Sequence, residues 1–101
     1  MVAGFLAIPT HVQHALNLAS TTYGVPLAQM VSVARCETGG TFDPRSLNRS
    51  SGAAGLFQFL PSTWRRTPYS GFNVFDPYAN ALAAAYLVRR DHGWSEWQCR
   101  P

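Results

Sequence analysis

The sequence predicts a mostly α, compact single domain whose helices are joined by long loops, and three observations point there. Apolar residues recur at helical spacing in several stretches, each bracketed by residues that start or stop helices. No stretch shows the strict alternation of a half-buried strand, and no internal repeat or low-complexity tract interrupts the pattern. The chain has 101 residues, of which 47% are hydrophobic. That suits one packed domain spanning 1–101 and excludes a disordered tail.

Thr10 stands where a side chain can cap a helix running to about Tyr23, with Val12, Ala15, Leu16, Ala19 and Tyr23 on one face. Gly24 ends that helix. Pro26 can occupy the first position of a second helix, with Leu27, Met30, Val31 and Ala34 turned inward. Gly39-Gly40 stop it near Glu37. Residues 42–55, FDPRSLNRSSGAAG, are loop chemistry. Pro61 opens a short helix holding Thr63, Trp64 and Arg65. After the loop TPYSGFNVF, Asp76 caps and Pro77 begins the best helix in the chain, carrying Ala81, Leu82, Ala85, Tyr86 and Arg89 to a stop at Gly93. Ser95 is placed to cap a last turn with Trp97 and Cys99.

The net charge is +3 and all 8 cations are Arg. A basic surface favours acidic partners such as nucleic acid, an anionic membrane or an anionic wall polymer. The arginines are scattered and never interleave with aromatics, which argues against nucleic acid. No apolar run reaches the ~20 residues a transmembrane helix needs. MVAGFLAIP lacks a basic leader and an A-x-A-like cleavage site, so it does not read as a signal peptide.

The 2 cysteines, Cys36 and Cys99, are too few for a zinc ribbon and too far apart for a redox CxxC pair. They are either two buried thiols or one disulfide. A disulfide would close a loop of roughly 60 residues, worth about 4 kcal/mol in chain entropy, and would imply an oxidising compartment.

The chain has 5 acids. Asp76 is a cap, Asp43 before Pro44 is a turn residue, and Asp91 and Glu96 read as solvated surface charges. Glu37 is the awkward one. It falls at a helix C-terminal end, where the macrodipole disfavours a negative charge, against apolar neighbours that raise a carboxyl pKa. That is a poor structural choice and a good one for a proton donor near neutral pH. No Ser-His-Asp arrangement or nucleophile elbow is present, with His11 and His14 on an exposed helix face and His92 beside a stop signal. No metal-ligand spacing appears, and GAAG lacks the Lys of a phosphate loop.

The blocks CETGG, SSGAAGLFQFLPSTW, DPYANALAAAYLV and GWSEWQC, in that order, resemble the lysozyme-like superfamily of peptidoglycan-cleaving enzymes, over residues from about 26 to 99. The Glu, GAAGLFQFLPST and NALAAAYL are similar to the soluble lytic transglycosylase type. CETGG, Thr63-Trp64 and GWSEWQC are similar to resuscitation-promoting factors. The resemblance implies an α+β lysozyme-like fold and a Cys36–Cys99 disulfide. It matches Glu37 to the catalytic acid and Gln58 to a Gln lining the sugar cleft. It matches Thr63 to a cleft-facing Thr, Tyr86 to a Tyr pointing at the catalytic Glu, and Asn80 to the Asn before it. Asn48, Ser50 and Ser51 lie where a substrate-contacting Ser is found, in a longer loop. Phe57 replaces the usual Met before the Gln, and His92 the usual Gln before GW. Gln58 can equally satisfy buried backbone, Tyr86 and Phe57 can be core, and Trp64, Trp94 and Trp97 read as packing.

Glycoside cleavage normally uses two carboxylates, and this chain offers one with an awkward position. The resemblance implies a lytic transglycosylase. On that resemblance Glu37 would protonate the glycosidic oxygen between N-acetylmuramic acid and N-acetylglucosamine, then act as base on the muramyl 6-hydroxyl to give a 1,6-anhydro product. Gln58 and Tyr86 would hold the acetamido group and the carboxyl. A hydrolytic lysozyme, with Asp43 directing water, is the alternative; a non-catalytic cell-wall-binding module is another. The implied partner is peptidoglycan glycan strands, met by a monomer without nucleic acid or membrane insertion. No metal or organic cofactor is implied. The expected location is the extracellular cell wall, or a virion or lysin route if phage-encoded. An export signal would then be trimmed, lie in a larger parent chain, or be replaced by such a route.

Overall fold

The computed structural model describes residues 8–101. The stretch 1–7, which contains most of the apolar run weighed above as a leader, lies outside the described residues. Helix α1 spans Thr10–Tyr23, α2 Leu27–Glu37, α3 Pro61–Trp64 and α4 Pro77–Asp91. Among the described residues the β component is reduced to two isolated bridges, Leu47 with Ala54 and Ala54 with Phe59.

The inward face of α1 is the expected one, with Val12, Ala15, Leu16 and Ala19 buried. Its start differs. Pro9 holds the cap position and Thr10 is already helical, with no side-chain cap. The rigid extended backbone of Pro9 (φ −58°, ψ 148°) delivers the chain into the helix unaided. Gln13 instead ties the entry together, its Nε2 donating to the Ile8 carbonyl at 2.9 Å. Gly24 closes the helix in the left-handed conformation, φ 69°, its N–H on the Ser20 carbonyl.

In α2 Pro26 likewise sits just outside the helix, at the cap position. Met30, Val33 and Ala34 are buried and Val31 is half-buried. The expected inward Leu27 is instead 38% exposed, because it borders an open recess with Ile8 and Leu16. Val33 takes its place in the core.

Helix α4 is the centre of the domain, packed mainly on α1. Asp76 caps it as expected, accepting from Tyr78 N at 2.9 Å. Small side chains let it be enclosed on most sides: Ala79, Ala81, Ala83, Ala84 and Ala85 are all buried, together with Leu87 and Val88. The left-handed residue at its end is His92 (φ 58°), one place before the expected Gly93. Arg89 Nη1 donates to the Tyr23 carbonyl at 3.1 Å, pinning this end to α1.

The C-terminal segment folds back over the loop that follows α2. Trp97 Nε1 donates to the Phe57 carbonyl at 2.8 Å, and Trp94 Nε1 to Gln29 Oε1 at 3.0 Å. Phe57, Phe59, Trp64, Trp94 and Trp97 form one aromatic cluster with ring centroids 5.1–6.5 Å apart. The three tryptophans are packing residues, each no more than 8% exposed. The last turn is closed by Trp97 N on the Trp94 carbonyl and not by Ser95. Cys36 and Cys99 form the expected disulfide across a separation of 63 residues, with Cα atoms 6.0 Å apart. Among the described residues no helix is long and apolar enough to cross a membrane.

Candidate active site

Glu37 is the last residue of α2, and everything around it is fixed by how that helix ends. Thr38 Oγ1 donates to the Ala34 carbonyl and accepts from Phe42 N, both at 2.8 Å. Gly39 and Gly40 take positive φ (62° and 89°), and Gly40 N reaches back to the Arg35 carbonyl at 2.7 Å. This glycine turn throws the chain away from the helix axis and leaves the Glu37 side chain at the edge of an open cleft of about 620 Å³. Burial raises the Glu37 carboxyl above the ordinary carboxylate range, and a hydrogen bond from the Cys99 backbone amide pulls it partly back. That amide reaches Glu37 because the disulfide joins Cys99 to the neighbouring residue, Cys36.

Across the cleft stands Gln58, a non-glycine residue in the left-handed region (φ 51°). Such a conformation persists only where the surroundings enforce it. Here the Gln58 amide nitrogen is held between the Ser46 carbonyl at 3.0 Å and the Gly55 carbonyl at 2.9 Å. Both of its donors serve the backbone, so the amide oxygen is the atom left for a ligand. Asp43 and Asn48 line the same cleft. Asp43 is a turn residue as expected, its Oδ1 accepting from Arg45 N at 2.9 Å, and it is also the second carboxylate in the cleft.

The other expected contacts are dispersed. Thr63 borders an adjoining small recess that shares Gln58 with the main cleft. Of the three loop candidates only Asn48 lines the cleft; its Oδ1 accepts from the N–H groups of Ser50 and Ser51 at 2.9 and 3.3 Å. Ser50 and Ser51 are exposed outside it, and Ser51 Oγ accepts from Ala53 N at 3.1 Å.

Asn80, Phe57 and Tyr86 do not line the cleft. Asn80 is fully buried and spends its amide on backbone, accepting from Phe57 N at 2.8 Å and donating to Val74 O at 2.8 Å and Ala54 O at 3.3 Å. It is the clamp that shapes the loop presenting Gln58. Phe57 is buried in the aromatic cluster. Tyr86 lies edge-on to Tyr23, ring centroids 6.0 Å apart, and Tyr23 shares a 2.6 Å hydroxyl hydrogen bond with Tyr69. Burial and that bond push the Tyr23 hydroxyl up to about 12. Sequence reasoning missed Thr38, Thr41, Ser46, Leu47 and Arg49 as cleft residues, and Glu96 in the adjoining recess. For the cleft residues the available signal was their place in or beside the one long loop between Glu37 and Gln58, since loops on a rigid scaffold carry function; Glu96, in the C-terminal segment, did not share it.

The family model for the transglycosylase-like domain matches residues 26–100. Two curated proteins of Staphylococcus saprophyticus subsp. saprophyticus, probable transglycosylase SceD 3 and probable transglycosylase SceD 1, are each 38% identical to the chain over 74 residues. The match covers 69% of this chain and 30% of each relative, so the chain spans under a third of their length. No solved structure matches.

Proposed function

The chain belongs to the transglycosylase-like domain family, and from that premise we propose that it is a peptidoglycan-cleaving lytic transglycosylase acting on the β-1,4 bond between N-acetylmuramic acid and N-acetylglucosamine. The observation that carries this reading is Glu37 itself. It is a half-buried carboxyl, raised by its burial, at the rim of a cleft of the size that holds small ligands. A carboxyl of that kind stays protonated further toward neutral pH than an exposed one.

Glu37 gives its proton to the glycosidic oxygen as the C1–O bond breaks, and the glucosamine unit leaves with a free hydroxyl. The substrate's own 2-acetamido oxygen stabilises the cationic muramyl C1. Glu37, now a carboxylate, takes the proton from the muramyl 6-hydroxyl as O6 bonds to C1, closing the 1,6-anhydro ring and restoring the acid. No water enters and no second carboxylate is needed. Gln58 lends its free amide oxygen to a sugar N–H, beside the Asn48 loop that lines the same cleft. Relatives carrying the name transglycosylase support the same chemistry. The natural setting of such an activity is the extracellular cell wall.

A hydrolytic lysozyme is the second reading, favoured by Asp43 lining the same cleft. In that case Asp43 directs a water to C1. The separating experiment compares release of soluble fragments from purified peptidoglycan by the wild type, Glu37→Gln and Asp43→Asn. The transglycosylase account expects loss in the first variant only. Equal loss in both supports the lysozyme, and undiminished release by Glu37→Gln overturns both.

A further inference from the structure

Among the described residues one cation lines the cleft. Arg49 lines it together with Glu37 and Asp43, is exposed, and has no ion-pair partner among the described residues, whose salt bridges are those of Arg90 with Asp91 and Glu96. Asp43, the nearest acid in the cleft wall by sequence, turns its carboxylate to the Arg45 backbone. Arg49 stands on a pinned base. Asn48 N donates to Ala53 O at 2.8 Å, Gly52 N returns to Asn48 O at 2.7 Å, and the Asn48 side chain holds the N–H groups of Ser50 and Ser51. A long side chain is thus rooted in a fixed turn, with a free guanidinium at the mouth of a sugar cleft.

A guanidinium presents a planar donor fork that fits a carboxylate in two parallel hydrogen bonds. On the functional reading above, the two alternating sugars of the substrate differ in one charged feature. The muramyl unit carries a lactyl group, with a carboxylate when free and with peptide carboxylates when the stem is attached. We propose that Arg49 is a specificity-determining residue that binds a carboxylate of the muramyl unit and so separates peptidoglycan strands from uncharged N-acetylglucosamine polymers. The proposal rests on the transglycosylase-site reading and deepens it.

The test is equilibrium binding in the Glu37→Gln background, which prevents turnover, with and without Arg49→Gln. Three probes are used: a peptide-free muramyl tetrasaccharide, the same glycan with stem peptides, and chitotetraose. The expected result is a loss of roughly tenfold or more on a muramyl probe, the size of one charge-assisted contact, with chitotetraose unchanged and partial recovery in Arg49→Lys. Loss on the peptide-free probe assigns the lactyl carboxylate; loss confined to the stem-bearing probe assigns a stem carboxylate. Equal loss on all three probes, or none, overturns the proposal. Wild-type release of fragments from intact peptidoglycan is measured alongside. If release stands and discrimination fails, only Arg49 is misassigned; if the wild type releases nothing, the functional reading falls and this proposal with it.

Discussion

Burial lifts the Glu37 carboxyl and the Cys99 amide lowers it, with burial the larger influence. The consequence for stability has a definite sign. A carboxyl whose folded pKa lies above its unfolded one contributes stability at low pH, and that contribution is lost as pH rises through the folded pKa. Glu37→Gln removes the ionisation, so the variant is expected to melt above the wild type at neutral pH. The two melting curves should converge below the ordinary carboxylate range, and calorimetry across pH checks this. The same substitution is expected to lower turnover by roughly 10²–10⁴-fold, the usual share of a positioned proton donor. In the wild type, turnover should decline as pH rises past the raised Glu37 pKa, which a pH–rate profile reads directly. Glu37 was legible in the sequence because a negative charge at a helix end before Gly39-Gly40 conflicts with local rules. Arg49 was not: nothing in its neighbours distinguishes an arginine over a cleft from one in solvent.

At the level of elements, the helices were readable to within a residue or two because their signals are local: Gly24, Pro26, Gly39-Gly40, Asp76-Pro77. The caps assigned to Thr10 and Ser95 failed where proline geometry and a backbone turn already closed the chain. The long loop was not readable, since what shapes it is Asn80, which bonds to the loop at Phe57 N across 23 positions. Asn80→Ala strands the buried Phe57 N and takes the side-chain donor from the Val74 carbonyl, while the Ala54 carbonyl keeps its bond from Phe59 N; it is expected to cost about 2–4 kcal/mol, measured by urea unfolding. Gly55 carries the same constraint from the other side. It has φ 85°, and an added Cβ would collide with Asn80 Nδ2 and the Val74 carbonyl. Gly55→Ala is therefore expected to destabilise the fold and to lower activity by displacing Gln58, whose Nε2 the Gly55 carbonyl holds. An unchanged urea midpoint in either variant would contradict the clamp.

For the molecule as a whole, two long-range ties bring distant segments to one cleft. The aromatic cluster packs Trp94 and Trp97 over Phe57, and the disulfide joins the end of α2 to the C-terminal segment. A domain of this size buries only about two thirds of its unfolded surface, so the covalent tie matters. Replacing both Cys36 and Cys99 by Ser is expected to cost about 4 kcal/mol by the loop-entropy argument, seen as a lower melting temperature. The same variant should shift the pH–rate profile toward higher pH, because the Cys99 amide is no longer held at Glu37. The pairing itself was reached through family resemblance, since two cysteines in a sequence are equally two thiols. The measurement that tests the central claim most directly is mass spectrometry of muropeptides released from purified peptidoglycan, with Glu37→Gln as control. The account predicts wild-type products one water lighter than hydrolytic fragments and their absence from the variant. Fully hydrated reducing ends, or light products that persist in Glu37→Gln, would contradict it.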